Sequence, residues 1–299
     1  MPLPNFLIIG AAKSGTTALY AYLKDHPQVF MSPVKEPRYF AFAGESLDPL
    51  NPVHRSTVTD LEEYKNLFAG AEDAIALGEA SPSYLHNPNA PPHIRAMVPE
   101  AKLIAILRNP ADRAFSHFMH FVKLGRETTL DFREALDNPD GVSSGSWFPR
   151  RNYLSFGYYG LQLKRYFSLF DRSQMKIFIY EEFRKDPLSA LEEIYEFLGI
   201  QTNFRPDTQR QINVSGIPRS RHLQRWLRRP SRVRSALGHL LPERSKRRLL
   251  LKLRAANLER ISPPDDVRAT LLEKYQPDIA LLESLLERKI DCWNPRSQS

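Results

Sequence analysis

The sequence predicts an α/β fold: a doubly wound parallel sheet flanked by helices, continued by a helical and basic C-terminal part. Three observations carry this expectation. Short apolar runs of strand length recur at Phe6–Ile9, Ala74–Leu77, Leu103–Leu107 and Lys176–Tyr180, as in strands covered on both faces. Helix-period segments separate them, which implies parallel crossovers. The first run feeds through the small-residue turn Gly10–Gly15 into a helix, the unit with which nucleotide-binding folds hold phosphate, so the sheet is expected to be P-loop-like.

In chain order, Phe6–Ile9 is the first strand. Thr16 or Thr17 opens a helix with Leu19 and Leu23 on one face, and the helix stops near His26-Pro27. Residues 28–60 read as irregular because Pro33, Pro37, Pro49 and Pro52 interrupt any long element. A short helix at Leu61–Phe68 leads to the strand Ala74–Leu77 and a turn at Gly78–Tyr84. Leu103–Leu107 is a strand ending at Arg108, and a helix follows from Ala111 to Lys123. A Gly/Ser/Pro-rich loop at 138–149 precedes a helix at Tyr159–Phe170. The strand Lys176–Tyr180 and a helix at Leu188–Leu198, stopped by Gly199, come next. An amphipathic helix at Leu271–Arg288 ends the pattern. The expected organisation is a single domain over 1–299, with a nucleotide-binding core at 5–220 and a helical extension at 221–299.

Composition narrows the function classes. Of 299 residues, 42% are hydrophobic and 25% charged, which excludes a disordered chain, and the absence of a short period excludes a fibrous one. No apolar run approaches the roughly 20 residues of a membrane span, and the N-terminus lacks a signal-peptide pattern. The single cysteine, Cys292, cannot form an internal disulfide, so a cytoplasmic location is expected. The net charge of +8 is uneven. Residues 219–254 hold 13 Lys and Arg against Glu243, a charge of +12, leaving −4 for the rest. That segment is either a solvated helix face or a wall for an anion: a cofactor, an acidic substrate or a membrane surface. Nucleic acid is the less favoured partner.

The turn Gly10-Ala-Ala-Lys13-Ser14-Gly15-Thr16-Thr17 combines backbone N–H groups at a helix start with the charge of Lys13 and three hydroxyls. It is not the ATP/GTP loop, in which lysine follows the second glycine. A magnesium-dependent nucleotidase would place an Asp at the end of a neighbouring strand. Here that position is Arg108, which repels a metal and attracts a second anion, so no metal is expected. Arg108 and Ser116, about two helical turns apart, can serve one phosphate with a guanidinium and a hydroxyl. Two anion sites on neighbouring strands suggest a nucleotide phosphorylated at two separate positions.

These residues resemble a known family. Phe6–Thr17 is similar to the 5′-phosphosulfate loop of sulfotransferases that use 3′-phosphoadenosine 5′-phosphosulfate (PAPS), and Leu107–Ser116 to their 3′-phosphate motif. Lys35-Glu36-Pro37-Arg38-Tyr39-Phe40 resembles the K-E-P-x-[FY]-F segment of the heparan-sulfate-type branch. Asn213–Ser220 resembles the late loop that closes over the nucleotide in bacterial members, and Lys176–Pro187 a further family segment. The resemblance spans residues 5–220 and implies transfer of a sulfuryl group from PAPS to a hydroxyl or amine of a glycan, lipid or small molecule. It implies Lys13 as the cation at the departing phosphate and Glu36 as the base, with a pKa raised by a dry site. His120, four residues after Ser116, matches an assisting histidine. Ser14, Gly15, Thr16, Thr17, Arg108, Ser116, Arg219 and Ser220 match cofactor ligands.

Three of these positions have structural alternatives. Glu36 can be a loop carboxylate paired with Lys35 or Arg38, His120 can pack beside Phe118 and Phe121, and Tyr84, in a family turn, can be a core tyrosine. The histidine that glycan 3-O-sulfotransferases carry two residues after the glutamate is Arg38 here. The paired cysteines and anchor of Golgi-type members are also missing, so a soluble bacterial-type member fits better. Residues 41–60 and 124–156 are the expected acceptor loops. The competing functions are a nucleotide kinase or ATPase with a variant loop, and an anionic-surface binding module.

Overall fold

The computed structural model describes residues 2–47, 56–71, 73–124, 127, 129–137, 152–208, 217–218, 258–259 and 262–294. Strand β1 (Phe6–Gly10) is the centre of a five-stranded parallel sheet. Its neighbours are β3 (Ala76–Ala80) on one side and β4 (Lys102–Leu107) on the other. The edges are β2 (Val29–Met31) and β5 (Met175–Ile179), giving the order β2-β3-β1-β4-β5. A two-stranded antiparallel pair, β6 (Ile217–Pro218) with β7 (Leu258–Glu259), lies apart from it.

Side chains alternate across the sheet, yet both faces are dry, which is why the runs read as continuously apolar. Phe6, Ile8, Ile104 and Ile106 face helices α1 (Thr16–Lys24) and α9 (Pro187–Leu198), meeting Leu19, Leu23, Leu191 and Ile194. Leu7, Ile9, Leu103, Ala105 and Leu107 face the other layer. That layer holds α4 (Ala90–Met97), α5 (Pro110–Leu124), α7 (Tyr159–Phe167) and α10 (Asp265–Leu286), with the shorter α2 (Tyr39–Phe42), α3 (Leu61–Asn66) and α6 (Phe132–Asp137). Helix α8 (Tyr180–Lys185) follows β5 directly.

The C-terminal helix is fixed by a buried carboxylate. Asp278 of α10 accepts the backbone N–H of Gly160 and of Leu161, both at 2.9 Å, satisfying two unpaired donors at the start of α7. Gly160 must lack a side chain, since a Cβ would lie 2.5 Å from the Asp278 carbonyl oxygen.

The parallel sheet flanked by helices is as expected, with two local differences. β2 falls in the stretch expected to be irregular, because three residues before Pro33 are too short to show a period. Gly78, Glu79 and Ala80, expected as a turn, are the second half of β3. Gly78 is there because the Phe6 ring covers it: an added Cβ would meet Phe6 Cζ at 2.2 Å. No helix among the described residues is long and apolar enough to cross a membrane.

Candidate active site

The C-terminal ends of β1, β3 and β4 are adjacent, and the chain leaves β1 toward one half of the sheet and β4 toward the other. Open α/β sheets bind ligands in the crevice at such an edge. After β1 the backbone turns through Lys13 and Gly15, both left-handed with φ of 71° and 91°. Gly15 is the residue before α1, and no side chain caps this helix, so its first N–H groups are unclaimed by one. A side chain at Gly15 would need that left-handed backbone and would press on the Tyr180 ring at 3.1 Å. The loop is tied to β4 by Ala11 N–H donating to Ile106 O at 2.8 Å. Arg108 lies against it, with Nη1 3.5 Å from Lys13 O and its guanidinium 5.2 Å from the centre of the Tyr180 ring.

Lys13 reports the field of the site. Burial, then Lys123, then Arg108 depress its pKa to about 8, with Lys35 adding to them and Glu36 opposing them. One lysine in the β1 loop thus senses charges from the end of β4, α5 and the loop after β2. In the sequence Lys123 marks only the end of a helix. Its spacing from Ser116 and His120 places all three on one helical face, and that was the available signal.

Several buried polar atoms around this loop have no hydrogen-bond partner: Ser14 Oγ, Ser116 Oγ and Asn109 Nδ2. Buried polar groups are nearly always satisfied, so three orphans beside a phosphate-type loop and an arginine fit a phosphorylated ligand. Asn109, next to Arg108, is held from behind, because Glu181 of α8 accepts its N–H at 3.1 Å and the Trp293 indole N–H at 2.9 Å.

Glu36 precedes Pro37 in a loop where Glu36 and Arg38 are both left-handed, φ 62° and 56°, a costly conformation that neighbouring contacts must hold. Its carboxylate pairs with both neighbours, Lys35 at 2.8 Å and Arg38 at 2.5 Å, and about a third of the side chain (32%) is exposed. The expected upward pKa shift is therefore corrected. Burial does push it up, but the two cations outweigh this and hold the carboxyl below its usual range. Burial of Glu36 is partial, and its upward pull is overridden by charges one and two residues away.

On α5 the packed histidine is His117, not His120. His117 is 8% exposed, and its ring centre lies 5.0 Å from that of Phe121 and 5.4 Å from those of Tyr153 and Phe156. Burial and Arg113 hold it neutral. His120 is exposed on the Ser116 side of the helix. Tyr84 is fully buried, with its hydroxyl on Glu79, in agreement with the core alternative. Arg113 is also fully buried and donates to the Tyr153 carbonyl. Thr16 and Thr17 open α1 as expected.

Arg219, Ser220 and the basic stretch 219–254 lie outside the described residues, as do parts of the two expected acceptor loops. No cluster of three or more metal-ligating side chains occurs among the described residues.

Sequence regions with this arrangement are found in known proteins. The sulfotransferase domain family matches residues 3–216. The bifunctional heparan sulfate N-deacetylase/N-sulfotransferase 4 of Mus musculus is 31% identical over 214 residues, 68% of this chain and 23% of that protein. The corresponding enzyme 2 of Homo sapiens is 32% identical over 206 residues, 66% of this chain and 22% of that protein. The chain thus spans less than a quarter of these curated relatives. A crystallographic sulfotransferase from Alicyclobacillus acidocaldarius is 32% identical with a TM-score of 0.74, covering 98% of this chain and 99% of its own. None of these favours a kinase or ATPase, and the chain belongs to the sulfotransferase family of transferase enzymes.

Proposed function

We propose that this chain moves the sulfuryl group of PAPS, the sulfate donor of its family, to a hydroxyl or amine of a glycan, lipid or small-molecule acceptor. The observation that carries the reading is the meeting of Lys13, Arg108 and Glu36 at one sheet edge around the unpartnered Ser14 and Ser116 hydroxyls. The donor supplies an electrophilic sulfur and a phosphate leaving group.

The chain's residues divide the remaining work. The loop N–H groups with Ser14, Gly15, Thr16 and Thr17 hold the 5′ end, while Arg108 and Ser116 hold the 3′-phosphate, with Arg219 and Ser220 as further ligands. Lys13 offsets the charge that grows on the bridging phosphate oxygen as the S–O bond breaks. Glu36 takes the acceptor proton as the new bond to sulfur forms, and His120 assists from the same side as Ser116. A carboxylate held low by Lys35 and Arg38 is a weak base, but it is ionised at every working pH. The acceptor proton becomes acidic as its heavy atom bonds to sulfur, so a weak base suffices. An acidic acceptor suits the surplus of cations around Lys13.

The test is a calorimetric titration with adenosine 3′,5′-bisphosphate in the presence of a chelator, beside ATP with magnesium. Tight metal-independent binding of the bisphosphate and none of ATP is expected; the reverse would sink the reading. Glu36→Gln should lower turnover by about 10²–10⁴-fold while bisphosphate affinity holds, and full turnover would remove Glu36 as the base.

A further inference from the structure

Glu79, on β3, is fully buried, and among the described residues it has no ion-pair partner. It receives a hydrogen bond from the Tyr84 hydroxyl at 2.6 Å on Oε1, and the Ser81 and Tyr64 hydroxyls also face its carboxyl. A carboxyl in a dry core without a cation costs stability, and a neutral side chain would fill the same space more cheaply.

The hydrogen bonds around it suggest a role. Backbone N–H groups of alternate residues in the Glu36 loop are held by the end of β3 and the turn after it. Glu36 N–H donates to Ala80 O at 3.1 Å, Arg38 N–H to Ser81 Oγ at 3.0 Å, and Phe40 N–H to Tyr84 Oη at 3.3 Å. These contacts hold the two left-handed residues in place. The Tyr84 hydroxyl has one proton. Because it accepts from Phe40, that proton is directed to Glu79, and the carboxyl fixes the phenol that anchors the loop.

We propose that Glu79 is a positioning residue for the proton-transfer step: through Tyr84 it holds the Glu36 loop, and through its charge it sets how basic Glu36 is. This rests on Glu36 being the base. The Glu36 charge makes ionisation of Glu79 harder, and by reciprocity an ionised Glu79 makes Glu36 the stronger base. Other groups facing Glu79 are the hydroxyls of Tyr64 from α3, Tyr84 and Ser81 from the turn, and Tyr166 from α7. None carries a positive charge. Burial pushes Glu79 up to about 7, against the hydrogen bonds of Tyr84 and Ser81. As pH rises through 7, Glu79 ionises and opposes the pull of Lys35 and Arg38 on Glu36, so proton transfer quickens.

The experiment needs no identified acceptor. Slow hydrolysis of PAPS, with water as acceptor, is followed from pH 5.5 to 8.5 as release of adenosine 3′,5′-bisphosphate. An infrared titration of the ligand-free protein follows the protonated-carboxyl band. The native protein should show an inflection near pH 7 in both. Glu79→Gln keeps the acceptor for Tyr84 but removes the charge, so both inflections should vanish and hydrolysis above pH 7 should fall about tenfold, with bisphosphate affinity kept within about twofold. Tyr84→Phe should lower hydrolysis but retain the carboxyl inflection, moved upward because a stabilising hydrogen bond is gone. If Glu79→Gln does not fold, Tyr84→Phe carries the test alone. Unchanged profiles in the variants, or affinity falling in step with hydrolysis, would overturn the assignment. Glu36→Gln separates the two ideas: full activity in that variant sinks the base itself, while its loss beside an unaffected Glu79→Gln sinks only the role of Glu79.

Discussion

The depressed pKa of Lys13 makes a measurable demand on nucleotide binding. With a value of about 8, half of the ligand-free protein carries a neutral Lys13 at pH 8. A phosphorylated ligand against the ammonium raises its pKa, so binding must take up protons. For a bound-state value well above 10, uptake is about 0.1 proton at pH 7, about 0.5 at pH 8 and about 0.9 at pH 9. The sign follows from the cation: affinity is full below pH 8 and falls by up to about tenfold per pH unit above it. The ligand phosphates, with second pKa values near about 6, contribute little at pH 8 and above. Titration calorimetry with adenosine 3′,5′-bisphosphate in two buffers of different ionisation enthalpy reads the uptake directly. Lys13→Arg should bind without it, because a guanidinium stays charged throughout. Zero uptake in the native protein at pH 8 and 9, or equal uptake in Lys13→Arg, would refute the reasoning.

Further outcomes follow from the same geometry. Arg108→Ala should weaken bisphosphate binding by about 10- to 150-fold, the range of a lost charge-assisted hydrogen bond, with a smaller change in turnover at saturating donor; equal affinity would remove Arg108 from the anion site. Lys123→Ala removes the largest charge depressing Lys13, so proton uptake at pH 8 should fall below the native value in the same calorimetric assay. Asp278→Ala leaves the Gly160 and Leu161 N–H groups without their acceptor and should lower stability by about 1–3 kcal/mol, read as a shift in the urea midpoint, with Asp278→Asn recovering part of it.

The parts of the site built from contiguous chain were legible in the sequence. A strand, a small-residue turn and a helix start place Lys13, Ser14 and Thr16 by local geometry alone, and the strand ending at Arg108 is equally local. What the sequence hid was decided by phase or by distant packing. His117 and His120 are three residues apart, and only the turn of α5 separates the core side, with Ala114 and Phe121, from the side carrying Ser116 and Lys123. Glu79 sat between Gly78 and Ala80, two residues that suggest a turn. They lie in a strand because Phe6, 72 positions earlier, covers Gly78 and because Ala80 stands opposite Ile8. The state of Glu36 was hidden differently. Its partners are its own neighbours in sequence, but their union depends on two left-handed residues that nothing in Lys35–Arg38 demands.

The three strand ends divide the labour in a way that explains why the effects of these variants should separate. In the proposed reading β1 and β4 supply the anion grip: an uncapped helix start, Lys13, Arg108 and hydroxyls left without partners. β3 supplies none of that grip. Through Ala80, Ser81 and Tyr84 it holds the loop that carries Glu36. Lys13 lies in the field of Lys123, Arg108 and Lys35 against the charge of Glu36, so the ligand-free edge carries like-charge repulsion that an anion would relieve. Lys35 belongs to both halves, since it pairs with Glu36 and its charge reaches Lys13. In the proposed reading an arriving anion competes with Glu36 for Lys35, and any charge given up to it makes Glu36 a stronger base. The proposed donor binding and base activation are thus linked through Lys35, the residue before the glutamate, while Arg38 holds the carboxylate from the other side.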